Sequence, residues 1–363
     1  MKASLIKGLN EKDMMAMLQT LNFNGFYFPT LFPEKFTSSL TWKALQAEQG
    51  VPVVADVVSY DSKAPRKRRN TVERVQGDIP QIAIAREKTE SEILEYFQLQ
   101  RMAQMGNDAS VQKALLDFVF DDLEFCFTGV GARLEWLALT ALSSGKISLT
   151  ATNNVGMVTE TAIDFQVPTA NKGGVTTAWT TGNAATATPI AVIRAKVKAA
   201  KQAGKMLKYV FMEQDTFDLM VGTTEVQKAV ANWVIQATAT QMTPSLDSVN
   251  SYMRANSLPE IRIVESYVSV EINGTRTTVN PWASGCTTFA PDLVVGNTFN
   301  SILADDYAET VAMKAKRGYI LVKKWSEEEP LKEITKGMAN AFPALSNPSG
   351  IYLLNTQGSS WSL

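Results

Sequence analysis

SVQKALLDFVFDDLEFCFTGVGARLEWLALTALSS, residues 110–144, is the stretch around which the rest of the chain is organised. Leu116, Val119, Phe120, Leu123, Cys126, Phe127, Val130, Leu134 and Leu137 recur at steps of three and four, the spacing of one helix face. Asp117, Asp121, Glu124, Thr128 and Glu135 fall opposite and are expected to meet water. Asp108 and Ser110 are N-cap candidates, and Gly145 stands where a left-handed stop is expected. At about 1.5 Å per residue the segment predicts a rod roughly 50 Å long. Gly129 and Gly131 would permit a bend near its middle. Cys126, on the stripe, reads as a small buried apolar residue.

Upstream, residues 1–22 carry Leu5, Ile6, Leu9, Met14, Met17, Leu18 and Leu21 at helical spacing. Phe23, Phe26, Phe28 and Phe32 follow, with Pro29 and Pro33 discouraging a helix, so an extended arm is expected. Such an arm covers either its own core or another surface. VPVVADVVSY (51–60) and IPQIAIAR (79–86) read as the two strands of a long hairpin. Its tip carries Arg66, Lys67, Arg68 and Arg69, with Arg74 on the return. A lone hairpin is marginal in water, so this one needs a neighbour. The cationic tip fits a solvated loop, a protein contact or a nucleic-acid patch. It lacks the interleaved aromatics that stack on bases. A protein contact would need carboxylates, and Asp121, Glu124, Glu327, Glu328 and Glu329 are the acidic counterparts the chain offers.

Downstream, KISLTATN (146–153) reads as a strand and residues 165–189 as a long, poorly packed loop anchored by Trp179. A helix over 189–204 stops at Gly204, and LKYVFMEQDTFDLMV passes from strand to helix at Asp215. EVQKAVANWVIQ is another amphipathic helix, and Asn273-Gly274 marks a hairpin. DLVVGNTF (292–299) and residues 309–326 supply strands, and NAFPALSNPSGIYLLNT (340–356) has the character of a closing edge. Without a βαβ repeat, the order favours an α+β fold.

Composition narrows the chemistry. The 363 residues are 45% hydrophobic and 20% charged, with a formal net charge of −1, so the chain is globular and does not coat nucleic acid over its whole surface. Two distant cysteines, Cys126 and Cys286, make a disulfide framework or thiolate zinc site improbable and suit a reducing cytoplasm. There is no histidine, which removes His-based triads and His–carboxylate metal sites. Phosphate-loop and dinucleotide motifs are absent. No signal-peptide core and no apolar run near the roughly 20 residues of a membrane span are expected. The pairs Asp121-Asp122 and Asp305-Asp306 are open to acid–base or Mg²⁺ chemistry, or to the plainer reading of solvated faces. No catalytic, cofactor-binding or metal residue is assigned.

FPEKF (32–36), VQGDIPQIAIAREKTE (75–90), LKYVFMEQDTFDLM (207–220) and LVVGNTFNSILADDYAE (293–309), in this order around the long helix, resemble the major capsid proteins of tailed phages. The similarity is to the Hong Kong 97-type fold and, within it, the lambda-type (protein E) branch. It implies an N-terminal arm (1–50), an extended loop (51–98), a peripheral (P) domain (99–190) on a spine helix 110–144, an axial (A) domain (191–310), and a return to the P domain (311–363). It also implies hexamers and pentamers closing an icosahedral head shell around packaged double-stranded DNA. The expected location is the virion, after assembly in the bacterial host cytoplasm. Implied partners are other copies of the chain, a separate scaffolding protein, a portal, a decoration protein and the packaged double-stranded DNA by non-specific contact, with no membrane and no cofactor. The tip of the extended loop would cross onto a neighbour, and Phe23, Phe26, Phe28 and Phe32 would dock the arm. Two rival readings stand beside this one: an encapsulin-like nanocompartment shell, and an α+β enzyme using Asp305 and Asp306.

Overall fold

In a computed structural model of the chain, the long apolar stripe forms one unbroken helix, Ala109–Ser144. The structure describes residues 4–6, 9–47, 72–105, 109–154, 161–234, 243–272 and 274–362. The expected N-cap residue Asp108 lies outside them, whereas Gly145 takes the left-handed conformation at φ 71° that ends the helix. The helix runs through both glycines without a break. A Cβ on Gly129 would fall 2.7 Å from Ile84 Cδ1, and one on Gly131 would fall 2.4 Å from the Phe23 ring. Both glycines therefore allow close packing against α4.

The order begins α1 (Glu11–Thr20), α2 (Phe28–Leu31), β1 (Glu34–Phe36), β2 (Thr41–Ala47), β3 (Val72–Asp78) and β4 (Gln81–Lys88). Next come α3 (Glu90–Met105), α4 (Ala109–Ser144), β5 (Lys146–Leu149), β6 (Thr161–Asp164), β7 (Lys172–Gly174) and α5 (Pro189–Gln202). Then follow β8 (Tyr209–Met212), α6 (Gln214–Val221), α7 (Thr224–Val234), α8 (Leu246–Ala255), β9 (Glu260–Ile263), β10 (Val268–Ile272) and β11 (Thr275–Val279). The chain closes with β12 (Cys286–Ala290), β13 (Gly296–Ser301), α9 (Ala304–Tyr307), β14 (Met313–Arg317), β15 (Ile320–Glu328), β16 (Leu331–Leu345) and β17 (Tyr352–Asn355). This is an α+β fold.

Two sheets organise it. A six-stranded sheet runs β1-β13-β16-β15-β14, with β4 on the other side of β16. A five-stranded sheet runs β7-β17-β12-β8-β9. Helix α4 lies across β16, and its residues Leu134 to Leu139 are all buried. By length and composition α4 could cross a membrane, but over half of its most apolar window is buried against the rest of the chain. Its core joins α1, α2 and the six-stranded sheet. A second core, with Trp179, Ile193, Met212, Phe217, Val226 and Met253, fills the space between the five-stranded sheet and α5–α8.

Three sequence readings need correction. The first helix is only Glu11–Thr20, because Asn10 and Asp13 cap each other's backbone N–H and fix its start. Residues 165–189 are pinned and not loose: the Val175 and Trp179 amides donate to Gly358 and Thr356 carbonyls, both at 2.8 Å. The expected closing edge is interior, since β16 pairs with β13, β15 and β4, and β17 sits between β7 and β12. Pro343 is tolerated there because β4 pairs β16 only from Glu333 to Asn340, leaving β13 as the recorded partner beyond. β13 belongs to the six-stranded sheet and β17 to the five-stranded one, so the chain passes between the two sheets before residue 310 and again after it.

Candidate intersubunit surface

Strands β2 and β3 pair antiparallel from Thr41↔Asp78 to Ala47↔Val72 and pair with no other strand among the described residues. The return strand of the hairpin is therefore Val72–Asp78. Ile79–Arg86 had the better strand composition, but residues 81–88 belong to β4, which joins β16 and leaves the hairpin. The root is fixed by Trp42, which is fully buried with its ring 5.7 Å from those of Phe165 and Phe342. Its partner across the ladder is Gly77, where a Cβ would lie 2.9 Å from the indole nitrogen. The expected outgoing strand 51–60 and the tip Arg66, Lys67, Arg68 and Arg69 lie outside the described residues. Arg74 is in β3, opposite Leu45.

Strand β4 gathers the acidic candidates at one end of the six-stranded sheet. Asp121 accepts from Arg86 at 2.6 Å on the α4 side. Beside Arg86, Glu87 pairs with Lys332 at 3.2 Å, and Lys332 reaches Glu327 at 3.3 Å. Glu124, Glu328 and Glu329 are exposed, and no ion pair is recorded for them among the described residues. The five carboxylates thus split. Two are already engaged within the chain, and three are open to a partner.

Beneath this surface lies a buried ionic cluster that helical and strand periodicity did not reveal. Lys88 pairs with Asp122, and Lys324 stands 3.6 Å from Glu333; all four residues are buried. Burial pushes the Lys324 ammonium below its ordinary value, against the pull of Glu333. Glu333 also receives the Ser4 hydroxyl and, at 3.3 Å, the Leu5 amide, so this segment ahead of α1 is fastened to it. Neither face of the β15–β16 pair signals this in sequence, because both carry lysines and glutamates.

The arm phenylalanines dock on the chain's own body. Phe28 and Phe32 are buried, while Phe23 and Phe26 are half-buried, with Phe23 stacked on Phe127 at 4.8 Å. The clamp is Glu135, which was expected on the wet face and is fully buried. It accepts the Tyr27 amide on both oxygens at 3.0 Å and the Phe28 amide at 2.8 Å, holding the start of α2. Burial raises its carboxyl above the ordinary value, partly offset by those amides. A raised folded-state value means its contribution is fullest below the ordinary carboxylate value and falls as pH rises through the folded one. Glu135→Ala leaves two buried amides without partners and should cost about 2–3 kcal/mol at acidic pH, with the penalty shrinking as pH rises. Denaturant midpoints of the unassembled chain across that pH range check both sign and size.

The sequence profile described as Phage major capsid protein E matches residues 12–354. The chain belongs to this capsid protein family. No curated protein matches it. A prophage capsid protein of E. coli CFT073 is similar in fold, at TM-score 0.57 and 13% identity, covering 96% of this chain and 99% of that one. A phage-related protein of Bordetella bronchiseptica RB50 gives 0.48 and 12%, with 95% and 96% coverage. The capsid of cyanophage A-1(L) gives 0.46 and 13%, with 98% and 96% coverage.

A major capsid protein is a structural component of the virion capsid and not an enzyme, and its carboxylate pair has a plain account. Asp305 accepts from Lys323 at 2.6 Å, and that hydrogen bond draws its carboxyl below the usual range. Asp306 pairs with Lys316. The enzyme and nanocompartment readings have no support. Cys126 and Cys286 are inert in this capsid protein: both are buried, and burial pushes their thiols up to about 11 and about 12.

Proposed function

We propose that copies of this chain form hexamers and pentamers that close an icosahedral head shell around packaged double-stranded DNA. In this reading the six-stranded sheet with α4 is the P domain, the five-stranded sheet with α5–α8 the A domain, and residues 41–78 the extended loop. A separate scaffolding protein, a portal and a decoration protein are the further partners. One observation carries the reading: the β2–β3 ladder has no third strand among the described residues, and a two-stranded ladder is marginal alone. Its cationic tip needs an ordering partner, and Glu124, Glu328 and Glu329 of a neighbouring copy are the open carboxylates that suit it.

Replacing Arg66, Lys67, Arg68 and Arg69 with glutamine should leave the chain folded. Contacts to the three open carboxylates, each a surface ion pair of about 0.2–1 kcal/mol, predict a loss of about threefold to about a hundredfold in the yield of closed shells. Electron microscopy and sedimentation read that yield. Normal shells in full yield would refute the intersubunit role of the tip. Normal shells that fail only to retain DNA would transfer it to nucleic acid.

A further inference from the structure

The described residues hold a second cationic surface, far from the hairpin in sequence and built on ordered elements. Arg194, Lys198 and Lys201 occupy one face of α5 at steps of four and three, spanning about 10 Å along its axis. They line a cleft of about 460 Å³ with the turn Asn256–Leu258 that follows α8. An adjoining cleft of about 300 Å³ shares Ser257 and Leu258 and adds Lys208 and Arg254. All five cations are exposed. The one carboxylate lining either cleft, Glu260, is engaged by Arg262 at 3.1 Å. Among the described residues no ion pair is recorded for Lys198, Lys201, Lys208 or Arg254. Arg194 is held in place by neutral acceptors, Tyr252 Oη at 3.1 Å and Asn256 Oδ1 at 3.0 Å, so its charge is oriented but not neutralised.

Five cations without local compensation, in a chain whose formal net charge is −1, mark a place for an external polyanion. The helix dipole accounts for Lys201 in the last turn of α5 but not for the other four. A protein partner would be met by an apolar interface core. None of the lining residues is an exposed large apolar side chain. Tyr209, the one aromatic residue lining either cleft, is half-buried and does not offer an open ring to a base, so the contact suits phosphates read without sequence.

We infer that this α5–α8 face of the A domain binds the phosphate backbone of double-stranded DNA, independent of sequence. The inference rests on the shell reading for the identity of the polyanion. Binding of a fluorescent duplex to the purified full-length chain, from about 50 mM to about 200 mM salt, tests it. Five phosphate contacts predict a log–log slope of about −4.5 and a loss of about 500-fold in affinity over that range. Arg194→Gln with Lys198→Gln and Lys201→Gln should flatten the slope by about 2.7, and Lys208→Gln with Arg254→Gln by about 1.8. The two sets lie on separate elements, so a folding defect in one leaves the other to decide.

Unchanged slopes in both variants would overturn the inference. So would loss of binding on neutralising Arg66–Arg69 alone, or displacement of the duplex by a polyglutamate peptide at lower charge concentration, which would reassign the face to an acidic protein. A chain that closes shells yet shows no salt-dependent duplex binding would sink this inference and leave the shell reading intact. Duplex binding with the expected slopes, in a chain that never closes a shell, would support the surface and sink the shell reading.

Discussion

Gly337→Ala is expected to destabilise the unassembled chain by about 3 kcal/mol or more, the upper end of overpacking costs. A Cβ there would lie 2.4 Å from the Cys126 carbonyl oxygen, 2.9 Å from its carbon and 3.1 Å from its Cβ. The first two atoms are backbone in the middle of α4, so no side chain can rotate away. Either β16 or a 36-residue helix must shift, and both are tied to further strands. Gly25→Ala is the control, because nothing lies within 4 Å of its Cβ position, and it should stay within about 0.5 kcal/mol of the parent. Thermal unfolding of the two variants side by side reads the difference. Equal midpoints would mean that α4 does not need its close seat on the sheet.

What could be read from sequence, and what could not, follows from how far each interaction reaches along the chain. The apolar stripe of 110–144 is a local periodicity, so α4 was visible residue by residue, as were α5 and the capped end at Gly145. Glu135 broke the pattern because its partners, Tyr27 and Phe28, come from an arm more than a hundred residues upstream. The hairpin was misplaced for a related reason. VERVQGD in β3 is polar and IPQIAIAR is apolar, yet strand partnership is decided by β2 and β16 and not by composition. Gly129, Gly131 and Gly337 could be read only as weak points in their elements, since the atoms that require them belong to distant segments. Of the acidic candidates, Asp121, Glu124, Glu328 and Glu329 are exposed and Glu327 is half-buried, but Asp122 and Glu333, close in sequence to them, are interior.

That interior charge sets the second large effect. Lys324→Met should cost about 3–5 kcal/mol, because it leaves the Glu333 carboxylate buried without its cation. The neighbouring Lys88 cannot take over without abandoning Asp122, to which it is already paired. Lys324→Met combined with Glu333→Leu removes both charges, and a well-packed apolar replacement of a buried pair is often neutral or better. The double variant should therefore recover most of the loss, giving a coupling energy of several kcal/mol in a double-mutant cycle. Recovery would not be complete in one respect. Glu333 is also the acceptor for Ser4 and Leu5, so the double variant loses the fastening of the segment ahead of α1 while regaining the core. Limited proteolysis should then cut ahead of α1 in the double variant and spare that site in the parent, at equal global stability. If the double variant is as unstable as Lys324→Met alone, the ion pair is not the quantity being measured, and packing around Lys324 would have to carry the cost. If it is stable and the segment ahead of α1 stays protected, Glu333 holds the strands together but not that segment.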